Sequence, residues 1–292
     1  MRQPLDIASA VTCVIPTYNS GAVIERCLRS IPLGVLVVVA DNASSDDTTA
    51  VARTVRPDAK IVILERNWGF GQACNAGAAL AGTPYVTFVN PDLVIGAAAL
   101  DAIVETAEAY PQIAVLGSAD SIESQVAAWP VADVEMVSGA FLTVRRSAFS
   151  GKALFDPNFF MYFEDFDLCV RAVQAGQRVV VVRAAAVDHA QGQSTAVRFD
   201  NELEKAWLWG GSCRYFSDKH ATSGYGAKAT QKLRKYWRKA LFYRIIGQQR
   251  LVSFNQAKVE GAALVERCGP DAMHRNGFTT GIWRTAHLST AE

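Results

Sequence analysis

The sequence predicts an α/β fold, a mostly parallel sheet flanked by helices, with a helical extension at the C-terminal end. Two observations carry this. Over the first hundred residues, short β-branched runs alternate with stretches of helical periodicity, the pattern of a parallel sheet whose crossovers are helices. Beyond residue 210 the β-branched runs give way to helical pattern, and the charge changes sign. Residues 211–292 carry 14 Lys/Arg against 5 Asp/Glu, residues 1–210 carry 15 against 23, and the whole chain of 292 residues is close to neutral at +1. A division near Gly210–Gly211 follows, with residues 1–210 as a catalytic-sized α/β domain and 211–292 as a basic, mostly helical extension.

In chain order, strands are expected at Val11–Ile15, Val35–Ala40, Lys60–Leu64, Tyr85–Val89, Ile113–Gly117, Val137–Arg145 and Val179–Val182. Helices are expected at Ala22–Ser30, Ser45–Val55, Gly71–Leu80, Ala97–Ala109 and Asp165–Ala175. Half the residues are apolar and a fifth charged, which excludes disorder for the bulk of the chain. The six cysteines are scattered with no CxxC pair, as buried reduced thiols would be, which disfavours a structural zinc site and favours a reducing cytosol. No basic and apolar leader is visible at the N-terminus, and no run approaches the roughly 18 apolar residues of a membrane span.

Ligands of open α/β sheets sit beyond the carboxyl ends of the strands, so the segments that follow the first four strands are where chemistry is expected. After the first comes Pro16-Thr17-Tyr18-Asn19 in place of the glycine-rich phosphate loop of dinucleotide-binding proteins. This disfavours a dehydrogenase or a nucleotidyltransferase. The second strand ends in Asp41-Asn42-Ala43-Ser44-Ser45-Asp46, where Asp41 can accept hydrogen bonds from a base or ribose and Ser45 or Asp46 can cap a helix; capping and turn roles alone would also explain these residue types. The third leads into Asn67-Trp68-Gly69-Phe70-Gly71, with Asn75 one turn into the helix. The fourth ends in Asn90-Pro91-Asp92, a turn whose carboxylate can hold a hard divalent cation.

Farther on, Phe163-Glu164-Asp165-Phe166-Asp167 sets three acids against an aromatic patch, the setting that raises the pKa of a general base toward neutrality. On a helix Asp165 and Asp167 stand about 200° apart, so one of them is structural. His189 follows an apolar strand and is either a hydrogen-bonded structural residue or a metal ligand partnered by Asp92.

Together these segments, with Ser138-Gly139-Ala140-Phe141, resemble glycosyltransferase family 2, particularly its rhamnosyltransferase-like members, over roughly residues 10–215. The resemblance implies a GT-A fold, Rossmann-like with a mixed, mostly parallel sheet. It implies an inverting enzyme that moves a sugar, rhamnose or another hexose, from a dTDP-, UDP- or GDP-linked donor to a hydroxyl of a glycan or lipid-linked glycan. Pro16, Thr17, Tyr18, Asn19, Asp41, Asn67, Gly69, Phe70, Asn75, Asn90 and Asp92 would line the nucleotide-sugar pocket. Asp92 and His189 would hold Mg2+ or Mn2+, Gly139 and Glu164 would lie at the sugars, and Asp165 would be the catalytic base. The chain departs from the family pattern at Asn90, which replaces the first acid of a DxD motif. A catalytically silent nucleotide-sugar or glycan-binding module on the same fold is the alternative.

In the extension, Leu233, Trp237, Leu241 and Ile245 recur every four residues among Lys228, Lys232, Lys235 and Lys239. Such a helix over residues 227–250 suits an anionic membrane surface, and it equally suits packing on the core or in a homodimer. The expected location is cytoplasmic, peripheral to the inner face of a membrane. No nucleic-acid module is recognisable, so no nucleic-acid partner is expected.

Overall fold

The computed structural model describes residues 6–119, 129–149, 153–189 and 199–275. The chain forms two compact units, Met1–Pro157 with Glu164–Thr195, and Asn158–Phe163 with Ala196–Glu292.

The first unit alternates strand and helix. The elements run α1 (Ile7–Ala10), β1 (Val11–Thr17), α2 (Ile24–Ser30), β2 (Leu36–Asp41), α3 (Thr48–Val55), β3 (Lys60–Ile63), α4 (Phe70–Ala78), β4 (Tyr85–Val89), β5 (Leu93–Val94), α5 (Ala97–Ala109), β6 (Ile113–Ser118), β7 (Val131–Asp133), β8 (Phe141–Arg145), α6 (Glu164–Gln174), β9 (Arg178–Val182) and β10 (Asp188–His189). Eight strands form one sheet in the order β3-β2-β1-β4-β8-β6-β9-β7. β8 and β7 pair antiparallel with their neighbours, and the other pairings are parallel. Val-rich strands fit this sheet because both of its faces are covered. The pleat sends Ile15 and Val39 into a core with Leu28 and Leu100, and Val14 and Val38 into a second core with Phe88 and Leu168.

The largest departures from the expected starts, at α3 and β8, have local reasons. Helix α3 begins at Thr48 rather than Ser45, because Ser44, Ser45 and Asp46 bond the loop after β1 instead of extending the helix. Strand β8 begins at Phe141 rather than Val137, because the N–H groups of Val137 and Gly139 go to the Cys169 thiol and the Asp165 carboxylate.

Arg56, at the end of α3, is the main polar tie between layers. Its guanidinium is 3 % exposed and donates to the carbonyls of Leu28 (3.3 Å), Ile31 (2.7 Å), Pro32 (2.9 Å) and Val35 (3.1 Å), with Asp58 at 3.0 Å. It thereby satisfies carbonyls left open where α2 ends.

The second unit is helical: α7 (Phe199–Lys219), α8 (Gly224–Ile245), α9 (Gln249–Cys268) and α10 (Ala272–Arg275). Gly210 and Gly211, where the charge changes sign, lie inside α7. Helices α7 and α9 meet backbone to backbone, since a Cβ on Gly210 would stand 1.9 Å from the Lys258 carbonyl and one on Gly261 2.0 Å from that of Trp207. The Lys258 ammonium sits among the rings of Tyr236 (3.9 Å), Trp209 (4.7 Å) and Phe254 (4.7 Å), and burial, with Lys239 nearby, lowers its pKa to about 8. Gly247, at φ 74°, ends α8 and lets the Gln248 N–H return to the Tyr243 carbonyl before α9 begins. Among the described residues no helix is long and apolar enough to cross a membrane, and the six cysteines are free thiols, all but Cys268 buried.

Replacing Arg56 with Met leaves buried carbonyls without donors and is expected to cost about 3 kcal/mol or more of stability. Lys is expected to recover only part of this, because one ammonium cannot span four acceptors. Urea unfolding midpoints of the two variants check both statements.

Candidate active site

The strand order reverses at β1, which has β2 on one side and β4 on the other, so the carboxyl ends of these strands border a crevice. The loops that follow them are bonded to one another by side chains. Asn19, at φ 51°, donates its N–H to Ser44 Oγ (2.8 Å), and its Oδ1 accepts from the Ser45 N–H (2.8 Å). Asp46 accepts from the N–H groups of Gly21 (2.9 Å) and Thr48 (3.1 Å). Partial burial works against its charge, but the bonds from Thr48 and Gly21 prevail and hold it below the usual carboxylate range.

Asn42 makes the next link. Its Nδ2 donates to the Gly69 carbonyl (3.1 Å), and its Oδ1 accepts from the Trp68 N–H (3.2 Å). The residue type was visible in the sequence directly after Asp41, but the partner across the crevice was not. Asn67 Oδ1 accepts from the Gly69 N–H (2.9 Å) and shapes the turn in which Gly69 holds φ 88°. Arg66 stacks on Trp68 at 3.5 Å.

Pro16, Thr17, Tyr18, Asn19, Asp41, Asn67, Gly69 and Phe70 therefore belong to one connected rim. Tyr18 presents a half-exposed ring there. Asp41 is almost wholly enclosed: Oδ1 accepts from Thr17 Oγ1 (2.9 Å) and Ser44 Oγ (2.5 Å), and Oδ2 from the Ser44 N–H (2.9 Å). Three of its roughly four acceptor positions are thus used internally. Asn75, one turn into α4, forms a reciprocal pair with the Phe155 backbone, donating from Nδ2 to the carbonyl (2.8 Å) and accepting the N–H at Oδ1 (3.0 Å). Phe155, absent from the sequence expectations, packs edge-on against Phe70 and Phe88.

The acids converge through the backbone. The Asn90 N–H donates to the Ala140 carbonyl (2.8 Å), and the N–H of the adjacent Gly139 donates to Asp165 Oδ2 (2.9 Å). The loop that bears Asp92 and the first turn of α6 are thus joined through two neighbouring residues. A Cβ on Gly139 would stand 3.1 Å from the Phe70 ring and 3.5 Å from Asp165 Oδ2, so its lack of a side chain keeps this corner open. Asp92 is 7 % exposed, just before β5. β5 pairs with β10 so that His189 stands opposite Leu93, the residue after Asp92. The His189 side chain and residues 190–198 lie outside the described residues. Among the described residues no three His, Cys, Asp or Glu side chains form a metal-ligand group.

The three acids of α6 differ in what they face. Asp167 is fully buried and paired with Arg171 at 2.8 Å, and Arg171 also donates to the Leu154 carbonyl. Asp165, half-buried, accepts from the N–H groups of Gly139 and of Phe166 (2.8 Å). Burial raises its pKa despite these bonds. Glu164 is 5 % exposed, packs toward Gly71 on α4, and its Oε2 has no hydrogen-bond partner among the described residues. Burial first, then the charge of Asp165, pushes its pKa well above the usual range.

The model of glycosyl transferase family 2 matches residues 12–171, more than half of the chain. A Mycobacterium tuberculosis N-acetylglucosaminyl-diphospho-decaprenol L-rhamnosyltransferase is 31 % identical over 241 residues, covering 63 % of this chain and 78 % of the relative. In fold, the chain is similar to the mannosyltransferase PcManGT from Pyrobaculum calidifontis, solved with GDP-Man and Mn2+ (TM-score 0.59, 17 % identity, 94 % of this chain and 83 % of that one). It is also similar to S. aureus TarS in complex with UDP (TM-score 0.54, 18 % identity, 92 % of each chain). The crevice described above is that of a GT-A fold, and the chain, a glycosyltransferase, belongs to glycosyl transferase family 2.

Proposed function

We propose that the chain transfers a sugar from a nucleoside diphosphate donor to a hydroxyl of a glycan or lipid-linked glycan, with inversion at the anomeric carbon. The observation that carries this reading is the double backbone link from Asn90 through Ala140 and Gly139 to Asp165, which joins a carboxylate suited to a cation with one suited to a proton. The similarity to a mycobacterial rhamnosyltransferase supports a hexose or 6-deoxyhexose donor carried on dTDP, UDP or GDP, and favours an enzyme over a silent binding module. Residues 1–210 are the proposed catalytic domain and 211–292 the extension. The proposed setting is the inner face of a membrane, where lipid-linked acceptors are presented.

Tyr18 stacks on the base, while Pro16, Thr17, Asn19, Asp41, Asn67, Gly69 and Phe70 line the nucleoside side of the pocket. Asn75 holds its far wall through Phe155. A hard divalent cation fits the donor chemistry near β5, because Mg2+ and Mn2+ accept one carboxylate and take much of their remaining shell from substrate phosphates. Asp92 and His189 would hold it, with Asn90 shaping the turn. Bound there, it would offset the charge that develops on the departing diphosphate. Asp165 takes the proton of the acceptor hydroxyl, its carboxylate oriented by the N–H groups of Gly139 and Phe166. Burial pushes the Glu164 carboxyl well above the usual carboxylate range, and burial raises that of Asp165 toward the range a base requires.

Asp165→Asn is expected to lower kcat by about 10²- to 10⁴-fold while nucleoside diphosphate affinity stays within a few-fold. Transfer at the normal rate would remove Asp165 from the role. Asp92→Ala is expected to abolish the gain in nucleotide affinity brought by Mn2+, a loss on the order of tenfold or about 1.4 kcal/mol. Calorimetric titration of UDP, GDP and dTDP with and without the metal reads this directly, and an unchanged Mn2+ response would place the cation elsewhere.

Glu164 makes a prediction with a definite sign. Its folded-state pKa lies above the ordinary 4.5, so above about pH 4.5 the folded state binds more protons than the unfolded chain, and stability falls as the pH rises toward the folded pKa. Glu164→Gln removes that decline. Urea unfolding followed as the pH rises from about 5 should show a shallower loss in the variant, and an identical loss in the two proteins would mean that Glu164 is ionised in the fold.

A further inference from the structure

The exposed apolar residues of α8 are gathered at one end of the helix rather than spread along a full-length stripe. A helix lying flat on a membrane, or packed along its length on a core, would present the row Leu233, Trp237, Leu241 and Ile245 continuously to one surface. In the second unit the row divides. Leu233 is partly buried and the neighbouring Tyr236 turns inward to Lys258 on α9, whereas Trp237, Leu241 and Ile245 face outward. Phe242, Ile246 and, at the start of α9, Leu251 are exposed beside them, and Ile245 reaches 76 % exposure. Because α8 turns into α9 at Gly247, these side chains crown the tip of a helical hairpin.

The charges are placed in a complementary way. Helix α8 contains seven lysines and arginines and no acid. Arg234, Lys235 and Arg238 stand roughly 10–17 Å behind Ile245 along the axis, at about 1.5 Å per residue. Arg244 and Arg250 flank the tip itself, with stems long enough to carry their guanidinium groups back to a polar layer. A cavity of about 350 Å³ opens between the helices, walled by Trp237, Leu241, Val252 and Val259, with Arg244, Gln256 and Glu260 also lining it. A protein partner would have to bury six exposed apolar groups and also supply acids for the collar. An anionic bilayer offers both, a hydrocarbon layer at the depth of the tip and phosphates at the level of the arginines.

We propose that the α8–α9 tip is a membrane-docking element that inserts Leu241, Phe242, Ile245 and Ile246 into an anionic lipid surface while Arg234, Lys235 and Arg238 engage the headgroup phosphates. The proposal deepens the transferase reading by naming the surface on which an acceptor is met. Its test uses no turnover, so the two can fail separately.

The full chain is sedimented with vesicles of phosphatidylcholine alone and with vesicles containing about one third phosphatidylglycerol. Binding is expected on the anionic vesicles, at least tenfold stronger than on the neutral ones and weakened by added salt, since each basic residue near such a surface contributes about fivefold to partition. The double variant Ile245→Asp/Ile246→Asp is expected to lose at least tenfold of this binding. Arg234→Glu/Lys235→Glu/Arg238→Glu is expected to lose the salt-dependent part. All five positions are exposed, and circular dichroism confirms that the variants keep their helices. Binding to neither vesicle, or equal binding by wild type and both variants, overturns the proposal. So does a concentration-dependent dimer in sedimentation equilibrium that Ile245→Asp/Ile246→Asp abolishes, which would assign the tip to a second copy of the chain.

Discussion

Antiparallel insertion of β8 beside β4 is the constraint on which the candidate site depends. Four parallel strands alone would leave the acid after β4 and the acids of α6 with no common neighbour, for they are separated by more than seventy residues. Reversing one strand brings the entry of β8, Ser138 to Ala140, alongside Asn90. Gly139 then turns its N–H toward Asp165 instead of extending the ladder. The cost is a shortened β8, whose first expected residues leave the sheet so that their donors can face α6. The junction is made by withholding backbone groups from regular structure at the entry of an interior strand.

The parallel half of the fold was legible in the sequence because its signals are local. Tyr85–Val89 and Ala97–Ala109 form the strand and helix that their patterns define, and Asp165 and Asp167 do part company on α6 as helical geometry requires. Illegible features share one property, a partner far away in the chain. Strands β5 and β10 have two residues each, too few for any period, and exist because each is the other's partner. Asn75 sits where it was expected, but its bond to Phe155 spans eighty residues. In α8 the spacing of Trp237, Leu241 and Ile245 is plain, while whether that face meets protein or solvent depends on where α9 lies against it.

The two carboxyls at the start of α6 illustrate how environment separates chemically similar neighbours. Glu164 is buried beside Gly71, which pushes its pKa well above the usual range, whereas Asp165 is supplied with two backbone N–H groups that favour its charge. Asp167, one residue further on, is neutralised by Arg171 and serves the packing of the 154 region. Three acids within four positions thereby have three different electrostatic surroundings, set by what each meets across the helix.

The side-chain bonds that lace together the loops after β1, β2 and β3 have an evolutionary consequence. Asn19 depends on Ser44 and Ser45, Asn42 on Trp68 and Gly69, and Asp41 on Thr17 and Ser44, so these positions are not energetically independent of one another. Substitutions among such neighbours are non-additive. Exchanges at these positions would therefore have to be made in concert, since a single one leaves its partners across the loops without their bonds.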